Sequence, residues 1–218
     1  MANEHYFSST PAGELKRRTI TATIAGFDRE LVTASGVFSP ARIDTGTAVL
    51  LGTVPAPPPG GNLLDLGCGW GPIALTLGLE SPRATVWAVD VNERALDLVR
   101  ENAQRMSIDN IQAVTPDQVP SELKFMTIWS NPPIRVGKNE LHAMLQRWLP
   151  RLEVGCDGWL VVQRNLGSDS LQRWLQANFP LDFTVTRAAT SKGYRVLRAR
   201  RRTGITEPLN VVNVVSID

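Results

Sequence analysis

The stretch Trp129-Ser130-Asn131-Pro132-Pro133-Ile134 sets polar acceptors in a stiff stretch of backbone within this 218-residue chain. Two consecutive prolines fix φ twice and remove two amide donors. They also bias Asn131 and Pro132 toward extended geometry. The loop therefore presents the Asn131 side-chain oxygen and the Pro132 carbonyl. An exocyclic amine conjugated to a ring is a poor nucleophile because its lone pair is delocalised. Two acceptors on its N–H groups hold it in orientation and favour pyramidalisation as an electrophilic carbon arrives, with no covalent intermediate on the protein. No strong base is needed beforehand, since the substituted amine loses its proton afterwards. Taken alone, Asn-Pro-Pro is as often a proline turn that ends a strand. Its place in the fold decides between the two.

A second constellation lies upstream. Leu63-Leu64-Asp65-Leu66 reads as a buried strand that runs into Gly67-Cys68-Gly69-Trp70-Gly71 and then a helix. Glycines let the backbone turn sharply and let a ligand approach without meeting a Cβ. Asp90 ends the next strand, 23 positions after Gly67, where an acidic residue takes ribose hydroxyls. The dinucleotide fingerprint needs its third glycine at the sixth position. Counted from Gly67 that position is Pro72, and the third glycine falls one residue early, at Gly71. A tight turn without a ligand is the plain alternative. The spacing G-x-G-x-G after Asp65 resembles the S-adenosylmethionine loop of class I methyltransferases. By that resemblance Asp65 and Gly67 lie at the methionine end of the cofactor, Asp90 at its ribose and Asp117 at its adenine amine. Cys68, Gly69, Val91 and Asn131 complete the expected cofactor contacts.

Both loops need a scaffold that ends strands side by side. The break Pro55-Ala56-Pro57-Pro58-Pro59-Gly60-Gly61 is a stiff connector, since proline cannot donate to a ladder or a helix interior. Before it, Thr19 to Ala25 and Leu31-Val32-Thr33 read as a short hairpin, and Asp44 to Leu51 as a helix capped by Asp44 or Thr45. After it, strands at Asn62–Leu66, Ala84–Val89, Ile111–Val114, Phe125–Trp129 and Trp159–Gln163 alternate with helices. One helix starts at Pro72 and runs to about Leu79. The next carries Leu96, Val99, Ala103 and Met106 on one face. A third spans Leu141 to Leu152, and a fourth surrounds Leu171, Trp174 and Leu175. The last strands, Phe183–Arg187 and Tyr194–Ala199, have no helix between them, so the final one runs antiparallel. The expected fold is α/β, a doubly wound, mostly parallel seven-stranded sheet with a short N-terminal hairpin and helix. The expected division is an N-terminal extension over 1–54, a cofactor-binding domain over 62–202 and a tail over 203–218. The apolar stretch Val211-Val212 to Val214-Val215 in that tail reads either as a further strand or as a contact with another chain.

Bulk properties exclude several classes. Hydrophobic residues make up 43% and charged residues 20%, as in a water-soluble domain. No apolar run is long enough to cross a bilayer, and the N-terminus lacks a secretory pattern. The two cysteines form no spaced metal or disulfide framework, so no metal and a cytoplasmic, reducing address are expected. A net charge of +2 leaves the partner open. Lys16-Arg17-Arg18 and the run of arginines at 195, 198, 200, 201 and 202 concentrate positive charge near the two ends, either as a nucleic-acid footprint or as solvated strand faces.

Ser130-Asn131-Pro132-Pro133-Ile134-Arg135 with Gly137-Lys138 resembles the small-domain methyltransferases related to the 16S rRNA guanine-N2 methyltransferase C. Gly36-Val37-Phe38-Ser39 with Asp44 and Gly46-Thr47 agrees, as do Leu64 to Gly69 and Lys192-Gly193-Tyr194-Arg195-Val196-Leu197. The likeness runs from about His5 to about Arg201. It implies methylation of a guanine 2-amino group in small-subunit rRNA, free or in an assembling subunit, with Asn131, Pro132, Pro133 and Ile134 as the catalytic loop. It makes Phe38, Arg135 and Lys138 candidates for substrate contact, Phe38 covering the cofactor or the target base and the two cations on phosphates. Two positions depart from the pattern. Ile134 stands where amine methyltransferases acting on adenine or glutamine often carry Tyr or Phe. Met126 replaces the Asp of the family's Phe-Asp pair, a change expected to affect packing more than chemistry. Release-factor glutamine methylation is the second reading, and an inactive cofactor-binding ribosome-assembly protein the third.

Overall fold

The computed structural model describes residues 14–179 and 181–203, and the side chain of Arg135 is outside the described set. His5 and the apolar stretch at 211–215 lie outside it too. Two eight-residue strands, β1 (Arg17–Ile24) and β2 (Phe27–Ala34), pair antiparallel as the expected hairpin. Helix α1 (Thr45–Leu51) follows, with the Asp44 carboxylate accepting from the Gly46 amide as its N-cap. Then come β3 (Gly60–Leu66), α2 (Pro72–Glu80), β4 (Arg83–Val89), α3 (Glu93–Arg105), β5 (Ile111–Val114) and β6 (Phe125–Ser130). The described elements continue with α4 (Lys138–Trp148), β7 (Leu152–Gln163), α5 (Ser168–Asn178), β8 (Phe183–Ser191) and β9 (Tyr194–Arg201). Helix α3 shows why its residues form a helix there. Asn92 caps it, Glu93 and Arg105 complement the dipole at its two ends, and its buried residues lie on one face.

The main sheet has seven strands in the order β5-β4-β3-β6-β7-β9-β8. The pairs joining β5, β4, β3, β6 and β7 are parallel, and β9 runs antiparallel between β7 and β8. Alternation along β3 divides the core. Leu63 packs with Ile73 and Leu77 of α2 and Val99 of α3, while Leu64 and Leu66 join Leu141 and Leu145 of α4. Helix α1 also covers the sheet, placing Val49 and Leu50 against Trp159, Val161 and Val196. The hairpin forms a third layer, with Ile24 and Leu31 against Trp70, Leu75, Ala95 and Leu98. Asn102 of α3 ties that layer down, accepting from the Val32 amide at 2.8 Å and donating to its carbonyl at 2.9 Å.

One expected boundary is displaced. The apolar spacing that suggests a helix through Leu152 ends instead at Trp148, because Leu149–Arg151 tightens into a 3-10 turn with proline in its first turn. Leu152 already begins β7, and the β6–β7 register shifts between Phe125 and Thr127, so 153–156 bulge before regular pairing resumes at Asp157. Met126 lies over Gly61, where a Cβ would come within 2.7 Å of its Cγ. That contact is packing at the start of β3, away from the loops that follow β3 and β6.

Candidate active site

Sheet order reverses between β3 and β6, since the chain runs outward from β3 through β4 to β5 and then returns beside β3 as β6. Ligands of doubly wound sheets sit at such a switch point, beyond the carboxyl ends of the strands. The glycine loop leaves β3 there and the Asn131 loop leaves β6. The glycine loop is turned toward β4. The amides of Gly67 and Cys68 donate to the Val89 carbonyl at 2.8 and 3.1 Å, and the Gly69 amide donates to Asp90 Oδ2 at 2.9 Å. Beneath the loop, Asp65 Oδ2 accepts from the Ala74 amide in the first turn of α2. Pro72 in that turn has no N–H to give. A pyrophosphate needs such donors, so the local geometry favours a ligand that uses carboxylate acceptors over a dinucleotide. Gly67 and Gly69 both have positive φ, at 76° and 54°. Gly71 serves packing as well, because a Cβ there would stand 3.0 Å from Val99 Cγ2.

Asn131 is held by two side chains from α1 and its cap. Its Nδ2 donates to Asp44 Oδ2 at 2.9 Å and to Thr47 Oγ1 at 3.1 Å. An ionised carboxylate only accepts, so it fixes which way the amide faces. Both N–H groups are taken and Oδ1 remains. Pro132 differs slightly from the expected free acceptor. Pro133, at φ −74° and ψ 77°, centres an inverse γ-turn in which the Ile134 amide donates to the Pro132 carbonyl at 2.9 Å. One lone pair of that carbonyl is therefore engaged and the other is left for a ligand.

A cavity of about 330 Å3 joins the two loops. Gly67, Gly69, Asp90 and Val91 line it from the β3 and β4 ends, and Asn131, Pro132, Pro133 and Ile134 from the loop after β6. Phe38, 41% exposed, lines it as expected. Four expected residues do not line it, Asp65, Cys68, Asp117 and Lys138. The Asp117 side chain is 91% exposed and pairs with Arg147 at 3.2 Å, leaving Pro116 beside it on the cavity wall. Cys68 is buried behind the loop with the residues of α2, and burial, then Asp90 and Asp65, push its thiol well above its ordinary range. Lys138 is exposed at the start of α4 and does not line the cavity. Arg135 sits in the 3-10 turn after Pro133. Asp44, Thr47, Gln163 and Tyr194 were absent from the expected site, although Asp44, Gln163 and Tyr194 line the cavity. Asp44 and Thr47 enter the sequence reading as a helix start and as part of the family resemblance, and nothing local links them to Asn131, 87 and 84 positions away.

The arginine run is largely occupied within the chain. Arg198 and Arg200 pair with Asp157, Arg195 pairs with Asp169, and Arg201 donates to the carbonyls of Pro150 and Leu152.

The methyltransferase small-domain profile matches residues 28–198. The chain belongs to that family. The match begins inside β2 and so takes in α1, Asp44 and Thr47 along with both loops. A Bacillus subtilis protein, YbxB, described as uncharacterized, is 33% identical over 91% of this chain and 99% of its own length. The ribosomal RNA small subunit methyltransferase C of Pseudomonas aeruginosa is 35% identical over 59% of this chain and 38% of its own. The release factor glutamine methyltransferase of Vibrio cholerae is 41% identical over 39% of this chain and 30% of its own. This chain thus spans well under half the length of either named enzyme. Among solved structures, the 16S rRNA N2 G1207 methyltransferase of T. thermophilus, in complex with AdoMet and guanosine, shares the fold with a TM-score of 0.75 at 24% identity. The likeness covers 88% of this chain and 52% of that one.

The methyl donor of this family is S-adenosylmethionine, and the residues present fit it. Asp90 lines the cavity, and its two carboxylate oxygens accept from the Gly69 and Asn92 amides at 2.9 Å. Burial raises its pKa and the amides of Asn92, Gly69 and Val91 pull it partly back. Asp65 Oδ1 is buried without a hydrogen-bond partner. Burial holds that carboxyl well above its ordinary range against the Ala74 amide, and Asp90 adds to the rise. A buried unpaired carboxylate oxygen is costly unless a positive group comes near, and the cofactor brings an ammonium and a sulfonium.

Proposed function

We propose that this methyltransferase small domain transfers a methyl group to the 2-amino group of a guanine in small-subunit ribosomal RNA. The observation that carries the reading is the Asn131 amide, with both N–H groups taken by Asp44 and Thr47 and its oxygen left at the cavity. That oxygen and the second lone pair of Pro132 give an amine two acceptors. Bound S-adenosylmethionine would supply an electrophilic methyl on its sulfonium, with S-adenosylhomocysteine as the leaving group. Asp90 would hold the ribose hydroxyls, and Asp65 would lie toward the charged methionine end. Asn131 and Pro132 orient the amine, and its proton leaves to water after transfer. Phe38 and Tyr194 line the same cavity and supply the aromatic faces that Ile134 lacks. Guanine in ribosomal RNA is supported by the Pseudomonas aeruginosa relative and by the Thermus neighbour bound to guanosine.

Glutamine of a release factor is the second reading, supported by the Vibrio cholerae relative. The test offers labelled S-adenosylmethionine to purified chain with small-subunit rRNA, with small subunits and with release factor. Label in the RNA is expected. Label entering release factor alone would overturn the assignment.

A further inference from the structure

The two oxygens of Asp44 are in different situations. Oδ2 accepts from the Gly46 amide at 2.8 Å and from Asn131 Nδ2 at 2.9 Å. Oδ1 has no hydrogen-bond partner among the described residues, and Asp44 lines the cavity. The carboxylate is held in place from behind. Its backbone is extended at φ −61° and ψ 147° as the N-cap of α1. The Tyr194 ring lies so near Gly46 that a Cβ there would stand 2.8 Å from Cε1 and 2.9 Å from Asp44 Oδ2. An acceptor-only group with one fixed oxygen and one open oxygen is a directed reader of a donor.

Beside it stand Asn131 Oδ1 and the Pro132 carbonyl. Guanine offers three donors along one edge, the ring N1–H and the two N2–H groups. Adenine and cytosine carry an unprotonated ring nitrogen next to the amine, and a glutamine amide carries a carbonyl oxygen there. Each of these would set a lone pair against the Asp44 carboxylate, which is costly at a desolvated site. We propose that Asp44 selects guanine, its Oδ1 accepting the N1–H while Asn131 and Pro132 hold the amine. The inference rests on the reading of guanine as acceptor and adds to it the residue that distinguishes guanine from other amines. Accepting from N1–H also leaves more electron density on the conjugated amine, without any proton transfer.

The test compares RNA carrying guanine at the methylated position with RNA carrying 2-aminopurine there. This analogue keeps the 2-amine but has an unprotonated N1. Wild type is expected to favour guanine in kcat/KM by roughly ten- to hundredfold, the scale of one good base-edge contact. Asp44→Asn keeps an oxygen for the Gly46 amide, and Asn is as good an N-cap as Asp, so an unchanged Tm is expected. Its NH2 then faces N1, and the preference should collapse or invert toward 2-aminopurine. If Asp44→Asn retains the wild-type preference, or if wild type shows none while still methylating guanine, the role of Asp44 is overturned and the guanine reading stands. If wild type methylates neither RNA and labels only release factor, both fall.

Discussion

Asn131 has one polar group to spend on an acceptor because α1 takes the other. Replacing it with Ala removes that acceptor but leaves Asp65, Asp90 and the glycine loop in place. Asn131→Ala is expected to lower single-turnover methyl transfer roughly a hundredfold, the scale of losing one preorganised contact. S-adenosylhomocysteine affinity, measured by calorimetry, should stay near wild type, and undiminished transfer would remove the role. Asp65 gives a prediction with a definite sign. Its pKa is raised in the folded protein, so the native state holds the proton more tightly than the unfolded chain. The cost of burying it is absent below the ordinary carboxylate range and grows as pH rises through the raised folded value. Asp65→Asn should flatten that loss of stability between acid and neutral pH in urea titrations. It should also weaken S-adenosylhomocysteine binding roughly tenfold, as expected for losing an interaction with a charged group. Unchanged affinity would contradict the placement of Asp65 at the methionine end.

At the scale of elements, the hairpin layer is tied to α3 by Asn102 and by the Arg17–Glu101 ion pair. Asn102 satisfies both the amide and the carbonyl of Val32 from inside the protein. Asn102→Ala leaves both unpaired and is expected to cost about 1–3 kcal/mol in urea unfolding. A loss well below that would mean the hairpin is held by its other contacts. Most elements were legible from periodicity, because parallel strands buried on both faces and helices with one apolar face carry distinct patterns. The start of β7 was not. Leu149 and Leu152 continue the apolar spacing of α4 through the 3-10 turn, and the bulge at 153–156 interrupts the pairing that marks a strand. The two functional loops were legible because glycine and proline spacing is a local signal. The Asp44–Asn131 contact was not, since helix-cap chemistry accounts for Asp44 without any partner. The outward direction of Asp117 was not legible either, for the related reason that spacing places a loop and leaves side-chain direction open.

At the scale of the whole molecule, the arginine run carries five positive charges, of which Asp157 and Asp169 offset two, while Arg201 keeps its charge as it donates to the Leu152 carbonyl. No helix among the described residues is long and apolar enough to cross a membrane. Specificity in this account rests on the acceptor end of one cavity, built from α1, the Asn131 loop and the start of β9. It does not depend on overall charge. The most direct test is nucleoside mass spectrometry of small-subunit rRNA, after incubation with the purified chain and isotopically labelled S-adenosylmethionine. Labelled N2-methylguanosine is expected, appearing roughly a hundredfold more slowly when Asn131→Ala replaces the wild type under the same single-turnover conditions. Label confined to a ribose, a ring nitrogen or another base would contradict it.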